Sequence, residues 1–265
     1  MRLAWITDLH LDFVQDADLS RFLGELEACA ADAYLVGGDI AQAATVARHL
    51  RVIASRLRRP VYFVLGNHDF YGGSIARVRV AVTALMERSP YLHWLPARGV
   101  VPLTRATALV GHDGWGDARL GTPATSPIRL NDFALIDELK GLDRATLHAR
   151  LRALGDEAGA HLRTVLPEAL ASFARVLVLT HVPPFREACW HGGAIASDDW
   201  LVYFACAAAG EALREALRGA PDRTCTVLCG HTHSGGRAAI LPNLLAWTAS
   251  AQYGTPRIEQ VLEVE

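Results

Sequence analysis

Short apolar runs and segments of helical period alternate along the N-terminal part of the chain. The runs at 3–6, 33–36 and 61–65 are rich in aliphatic and aromatic residues, which favours buried strands. The segments 18–31 and 43–58 carry apolar residues three and four positions apart, which predicts helices. Strands that alternate with helices form parallel sheets with right-handed crossovers, so we expect an α/β fold.

The remainder of the chain predicts more strands and a long helical segment. Helical patterns over 131–172 indicate an insertion over the sheet edge that could cap a site, and 202–218 is predicted as a further helix. Three C-terminal runs predict strands that complete a second sheet, at 238–241, 244–247 and 258–264. We expect one domain over 1–265, because no repeat, linker or low-complexity tract divides the chain.

Polar side chains follow each of the first three predicted strands. Asp8 and His10 follow the first strand, Asp39 the second, and Asn67 and His68 the third. Residues two apart in an extended segment point to the same side, so Asp8 and His10 can face one ion. Because ligands bind at the carboxyl ends of strands in open α/β sheets, we expect these side chains to line one edge.

Histidines follow two later predicted strands in the same way. His181 follows the run at 176–179, and His231 and His233 follow the run at 226–228. The collected set offers carboxylate, imidazole and amide groups without a thiolate, which suits borderline divalent ions. The set is too large for one ion with an open position, and it suits two ions that share a bridging carboxylate. The other histidines in predicted helices are expected at the surface, namely His49, His148 and His161.

The ordered series D-x-H, G-D, G-N-H-D, H and G-H-x-H resembles the calcineurin-like metallophosphoesterase family. It reads here as Asp8-Leu9-His10, Gly38-Asp39, Gly66-Asn67-His68-Asp69, His181 and Gly230-His231-Thr232-His233. The series spans most of the chain. The resemblance implies a four-layer αββα sandwich of two mixed sheets flanked by helices.

The resemblance also implies roles for the individual residues. One metal ion would be held by Asp8, His10 and His233, and a second by Asn67, His181 and His231, with Asp39 bridging both. Manganese is the expected metal, with iron, zinc, nickel or cobalt as alternatives. A hydroxide that bridges the two ions would attack phosphorus. Asp39 and His68 would be the catalytic residues, with His68 donating a proton to the leaving alkoxide.

One position departs from the pattern of many relatives. They carry an Asp three residues after the bridging Asp, where this chain has Gln42. An acid there could orient the catalytic histidine and stabilise its protonated form, which Gln does less well. We expect Asp69 to take over that task, or His68 to be a weaker acid.

The expected activity is hydrolysis of a phosphate ester, with a small-molecule phosphodiester favoured because the chain is compact and not basic. Phosphomonoesterases and nucleases of the same family are alternatives. A catalytically silent binding module is a second hypothesis, and a mononuclear hydrolase of a non-phosphate ester or amide is a third. The candidate substrate contacts lie in two loops, at His112, Trp115, Arg186 and His191.

Composition bears on partners and location. The net charge of −2 does not indicate a nucleic-acid or anionic-membrane partner. The five scattered cysteines lack a C-x-x-C pair, which argues against a disulfide framework and predicts a reducing, cytoplasmic location. A strand starts almost at the first residue, so we expect no signal peptide, and no apolar run is long enough to span a bilayer.

Overall fold

The apolar runs form the strands of two sheets in a computed structural model that describes residues 1–265. The strands are β1 (Arg2–Ile6), β2 (Ala33–Gly37), β3 (Val61–Val64), β4 (Leu92–Trp94), β5 (Val101–Pro102), β6 (Thr107–His112), β7 (Arg175–Thr180), β8 (Trp190–His191), β9 (Ala194–Ile195), β10 (Thr224–Cys229), β11 (Gly236–Leu241), β12 (Leu244–Thr248) and β13 (Gln260–Glu263). The helices are α1 (Asp16–Ala28), α2 (Val46–Leu57), α3 (Ile75–Met86), α4 (Asp132–Leu135), α5 (Arg144–Ser172), α6 (Asp198–Phe204) and α7 (Ala207–Arg218). None of these helices combines the length and the apolarity needed to cross a bilayer.

Both large sheets are mixed, as predicted. The first sheet has the order β13-β1-β2-β3-β4, in which β13 is antiparallel to β1 and the other neighbours are parallel. The second sheet has the order β11-β12-β10-β7-β6-β5, with antiparallel strands at its two edges and parallel strands between them. Strands β8 and β9 form a separate hairpin.

Alternation along the strands builds the layers of the fold. Leu3 and Trp5 of β1 lie in an apolar layer between the two sheets, together with Leu109 of β6. Ala4 and Ile6 face the opposite side, in a larger core shared with α1, α2 and α3. Helices α5 and α7 cover the outer face of the second sheet. These layers confirm the predicted order of helices, sheet, sheet and helices.

The last strand joins the first sheet, so the prediction that it completes the second sheet is wrong. Leu262 of β13 pairs with Leu3 of β1, and the amino group of Met1 donates a hydrogen bond to the Val264 carbonyl at 2.7 Å. Without β13, the outer edge of β1 would present unpaired N–H and C=O groups. The apolar pattern at 258–264 predicts a strand but does not identify which edge that strand covers.

The residues predicted as one helix at 202–218 belong to two helices. Helix α6 ends at Phe204, and Ala205 has an extended backbone with φ of −129° and ψ of 139°. The Ala205 carbonyl accepts a hydrogen bond of 3.0 Å from the Asp117 N–H. This contact with a distant loop takes the place of a helical hydrogen bond, which explains the break.

The segment 131–172 has two parts with different surroundings. Helix α5 packs along α7 and against β6, so most of the segment is a layer of the sandwich rather than a cap. Helix α4 lies at the edge of the sheets, where Asp132 is buried. Only the beginning of the segment therefore lies beside the candidate site described below.

Two histidines expected at the surface are buried. His49 Nε2 lies 3.5 Å from Asp12 Oδ1, and His148 Nε2 lies 3.2 Å from the Tyr203 hydroxyl. A polar partner in each case allows the imidazole to sit on the inner face of its helix. His161 is half-buried and lies against His112, with 5.3 Å between the ring centroids.

Candidate metal centre

The loops that carry the predicted ligands meet at one edge of the two sheets. They follow β1, β2 and β3 in the first sheet and β7 and β10 in the second. Five predicted ligands are at most 7% exposed, namely Asp8, His10, Asp39, Asn67 and His181. His231 and His233 are half-buried. The packing of the two sheets thus brings together all the side chains that the motifs singled out.

Five of the seven predicted ligands have a left-handed backbone conformation. The φ angles are 52° for Asp8, 43° for His10, 49° for Asp39, 73° for His231 and 57° for His233. Such a conformation costs a non-glycine residue about 1–3 kcal/mol. Only eight non-glycine residues in the whole chain have positive φ, so the strained positions concentrate at this edge. Strain concentrated in this way is typical of a functional site.

A first group of donor atoms comes from Asp8, His10, Asp39 and His233, whose ligand atoms all lie within 4.8 Å of one another. His10 Nε2 is 3.0 Å from His233 Nε2 and 3.7 Å from Asp39 Oδ2. His233 Nε2 is 3.4 Å from Asp8 Oδ1. Imidazole and carboxylate donors that converge in this way can surround one divalent ion.

A second group comes from Asn67, His181 and His231. The Nδ1 of His181 donates to the Gly37 carbonyl at 2.9 Å, and the Nε2 of His231 donates to the Tyr203 carbonyl at 3.3 Å. The other ring nitrogens therefore carry lone pairs, and they lie 3.1 Å and 3.0 Å from Asn67 Oδ1. Three acceptors that face one another without a donor between them match the surroundings of a cation.

The carboxylate of Asp39 lies between the two groups. Its Oδ1 is 3.4 Å from His181 Nε2, and its Oδ2 is 3.7 Å from His10 Nε2. Gly66 makes this approach possible, because a Cβ there would lie 2.5 Å from the Asp39 nitrogen and 2.7 Å from His181 Cε1. The two oxygens of one side chain are thus presented to both groups.

The electrostatics of the cluster also fit cations. Burial raises the pKa of Asp39 well above its ordinary value, and the neighbouring carboxylate of Asp8 raises it further. Burial lowers the pKa of His10 to about 2 and that of His231 to about 3, so both imidazoles are neutral at pH 7. Metal ligands must be deprotonated; the two neutral imidazoles meet that requirement, and a bound cation would favour the ionised form of Asp39. The residues present therefore fit two divalent ions.

A family model described as calcineurin-like phosphoesterase matches residues 1–235 of this chain. The chain belongs to the calcineurin-like phosphoesterase family. Membership of this family, together with the Asp/His cluster, indicates a dinuclear divalent metal site and a metal-dependent phosphoesterase.

Several solved structures resemble this chain over almost its full length. The phosphopantetheinyl hydrolase of Mycobacterium tuberculosis is 17% identical with a TM-score of 0.67, and the match covers 95% of this chain and 89% of that one. A dimetal phosphatase from Danio rerio is 16% identical with a TM-score of 0.53, over 98% of this chain and 88% of that one. No protein of curated function matches the sequence. At these identities the structures support the fold.

His68 of the family motif lies beside the two donor groups and faces a cavity. Its Nε2 is 4.0 Å from Asp39 Oδ2 and 3.4 Å from the Tyr253 hydroxyl. Its ring stacks on Tyr71, with centroids 4.2 Å apart, and meets His10 edge-on at 4.5 Å. Burial lowers its pKa to about 4, and the nearby His181 and His233 act in the same direction. The imidazole is therefore held in place at the cavity wall.

Asp69, which was expected to support His68, makes no hydrogen bond to the His68 side chain, and neither does Gln42. Asp69 is fully buried and accepts hydrogen bonds from the N–H groups of Ile40, Ala41 and Gly66 at 2.8–2.9 Å. It ties the loop after β2 to the loop after β3. His68 Nδ1 has no hydrogen-bond partner in the protein. The role of Asp69 is thus to fix the two loops, with both of its oxygens engaged.

The four predicted substrate contacts lie in different places. His191 lines the cavity of about 300 Å³ that is open to the candidate metal ligands. Trp115 lines a separate, smaller cavity together with Asn67 and His231. His112 is buried against His161. Arg186 forms a surface ion pair of 2.6 Å with Asp198.

The cavity wall contains residues that the motifs did not indicate. Trp200 and Phe204 stack with centroids 4.9 Å apart, and Phe204 meets His231 edge-on at 5.3 Å. Arg129 and Tyr253 also line the cavity. The spacing of four residues between Trp200 and Phe204 places both on one helix face, and it is the signal by which the sequence could have identified this wall.

We expect divalent metal to stabilise the folded chain. At a hundred times its dissociation constant, an ion that binds only the folded state adds about 2.7 kcal/mol. For a chain of this size we expect a rise in Tm of about 5–10 °C when Mn²⁺ is added to protein treated with chelator. Thermal unfolding followed by circular dichroism measures the shift.

The Asp39→Asn variant is the control for this experiment. It removes the charge shared by the two donor groups, so its Tm should rise much less on addition of Mn²⁺. An equal rise in both proteins would place the binding elsewhere on the surface.

Proposed function

We propose that this calcineurin-like phosphoesterase hydrolyses a small-molecule phosphodiester, with His68 as the proton donor to the leaving group. The observation that carries the proposal is the convergence of two donor groups on the two oxygens of Asp39, beside a cavity that His68 faces. The proposed ligands are Asp8, His10, Asp39 and His233 for one ion, and Asp39, Asn67, His181 and His231 for the other. Two ions held there would activate a water for attack and neutralise the charge that develops on the phosphoryl oxygens.

The cavity favours a diester over a monoester. A phosphate monoester carries about −1.5 to −2 charge at pH 7, whereas a diester carries a single negative charge and two organic groups. Arg129 is the only Arg or Lys among the residues that line the cavity, and it is exposed. The aromatic wall formed by Trp200 and Phe204 offers a surface for an organic group on one side of the phosphorus.

His68 is placed for proton transfer at the cavity side of Asp39. Its Nε2 lies 3.4 Å from the Tyr253 hydroxyl, and the residue lines the cavity. A bound phosphate would bring negative charge next to the ring and favour its protonated form. Stacking on Tyr71 holds the ring in the orientation that a proton donor needs.

Manganese in a reducing, cytoplasmic setting remains the favoured context. The oxygen and imidazole donors suit Mn²⁺ and related ions. All five cysteines are free thiols, four of them buried, which agrees with a reducing compartment.

The first test combines metal analysis with two model substrates. Protein loaded with Mn²⁺ should contain two equivalents by elemental mass spectrometry and should hydrolyse bis-p-nitrophenyl phosphate faster than p-nitrophenyl phosphate. Asn67→Ala should retain one equivalent and lose at least 100-fold in kcat, on the order of what one positioned electrostatic group contributes. Two equivalents without turnover of either ester would instead favour a binding module, and faster monoester hydrolysis would favour a phosphomonoesterase.

The role of His68 can be tested by comparing substrates whose leaving groups differ in basicity. General acid catalysis contributes about 10²–10⁴ in rate, and it matters most for a basic leaving group. His68→Ala should therefore reduce kcat for an alkyl phosphodiester by that factor, and by far less for bis-p-nitrophenyl phosphate, whose leaving group needs no proton. Equal losses on the two substrates would show that His68 does not act as the acid.

The aromatic wall can be tested against a residue outside the cavity. Trp200→Ala should raise KM for bis-p-nitrophenyl phosphate about 3–10-fold with little change in kcat, because a lost aromatic contact is worth about 0.5–1.5 kcal/mol. Arg186→Ala is the matched control, since its ion pair with Asp198 lies at the surface, and it should leave KM unchanged. An unchanged KM in the Trp200 variant would remove this wall from the substrate site.

A further inference from the structure

Two buried side chains bind the nitrogen end of the Asn67 amide, on the side away from His181 and His231. The Asn67 Nδ2 donates to Asp132 Oδ1 at 2.9 Å and to the Tyr71 hydroxyl at 3.1 Å. The Tyr71 hydroxyl in turn donates to the same oxygen of Asp132 at 2.6 Å. Asp132 is 3% exposed and Tyr71 is 6% exposed, so water does not compete for these contacts. The three side chains form a closed triangle of hydrogen bonds.

This triangle fixes which end of the amide faces the metal centre. The oxygen and nitrogen ends of an Asn amide have nearly the same size, so packing alone does not choose between them. A carboxylate only accepts hydrogen bonds, so Asp132 selects the NH₂ end. The carbonyl of Asn67 then points the opposite way, to within 3.1 Å of His181 Nε2 and 3.0 Å of His231 Nδ1. A flipped amide would direct N–H groups at the position of a cation.

The position of Asp132 is fixed by its own segment. The Gly72 N–H donates to the Leu135 carbonyl, and the Asp137 N–H donates to the Gly73 carbonyl, both at 2.9 Å. Glu138 accepts from the Ser74 hydroxyl at 2.7 Å and from the Ile75 N–H at 2.9 Å. The segment 131–138 is thus bound to the chain that directly follows the Asn67 motif. This docking places the carboxylate behind the amide without any contribution from the metal site.

We propose that Asp132 is a positioning residue that holds the Asn67 carbonyl toward the second metal ion, with Tyr71 as its partner. The proposal rests on the proposed function, because it takes Asn67 as a ligand of that ion. Asp132 would act through Asn67 rather than as a ligand, since the Oδ1 that faces the site already accepts two hydrogen bonds. Groups that orient a metal ligand in this way change metal affinity about 10–100-fold.

The test measures Mn²⁺ binding, not activity alone. Free Mn²⁺ is followed by electron paramagnetic resonance during titration of the full chain, and frozen samples show whether two bound ions are spin-coupled. In Asp132→Ala we expect the first ion to bind as in the unchanged protein, the second to bind about 10–100-fold more weakly, and the coupled signal to be lost at low Mn²⁺. Asp132→Asn can still accept the hydrogen bond and should restore most of the affinity.

Two further variants distinguish loss of the hydrogen bonds around Asp132 from loss of the docking of segment 131–138. Glu138→Ala removes a contact that docks the same segment but does not touch Asn67, so it should keep both ions at unchanged affinity. Tyr71→Phe keeps the bond between Asp132 and Asn67, and should weaken only the second ion, by less than Asp132→Ala does. If Asp132→Ala does not fold, the Asp132→Asn and Tyr71→Phe variants still carry the test.

The outcomes distinguish this proposal from the proposed function. If Asn67→Ala loses the second ion while Asp132→Ala and Tyr71→Phe bind both ions normally, the positioning role is wrong and the metal assignment stands. Equal weakening in Glu138→Ala and Asp132→Ala would also overturn the positioning role, because docking of the segment would then be the cause. If Asn67→Ala itself keeps two ions at normal affinity, the ligand assignment of the proposed function fails.

Discussion

The buried carboxylate of Asp39 is the constraint on which the site depends. It is 1% exposed, it lies near the equally buried Asp8, and it accepts a hydrogen bond of 2.8 Å from the His68 N–H. Two carboxylates removed from water destabilise a fold unless positive charge or donors surround them. Burial lowers the pKa of His10 and His231, so these two imidazoles supply lone pairs rather than charge, whereas contact with Asp8 outweighs burial and raises the pKa of His233. Cations between the donor groups would therefore add stability to this arrangement.

The first sheet contributes all the oxygen donors and one imidazole, whereas the second sheet contributes only imidazoles. Strands of the first sheet are followed by Asp8, His10, Asp39 and Asn67, and strands of the second by His181, His231 and His233. The candidate metal centre thus lies where the edges of the two sheets meet. The apolar layer between the sheets, in which Trp5 is fully buried, sets the distance between the two sheets. Close packing in that layer therefore also fixes the distances between donor atoms from different sheets.

Sequence patterns predicted the parts of the site that depend on local order. A strand that ends in Asp-x-His or Gly-Asn-His-Asp delivers its ligands directly, because strand direction alone places them at the sheet edge. Asp132 could not be predicted in this way, since it reaches Asn67 only through the docking of a segment 65 residues later in the chain. The partner of β13 was missed for the same reason. Apolar alternation predicts a strand, but tertiary contacts decide its neighbour.

The left-handed backbone of five proposed ligands has a consequence for how this protein can evolve. Each such residue occupies a conformation that glycine adopts without strain. Replacement of one of them by glycine would relax the loop and remove a donor in the same step. At these positions, a mutation that makes the metal-free chain more stable would thus also abolish its chemistry. Selection for stability alone would erode this centre, and only selection for turnover maintains it.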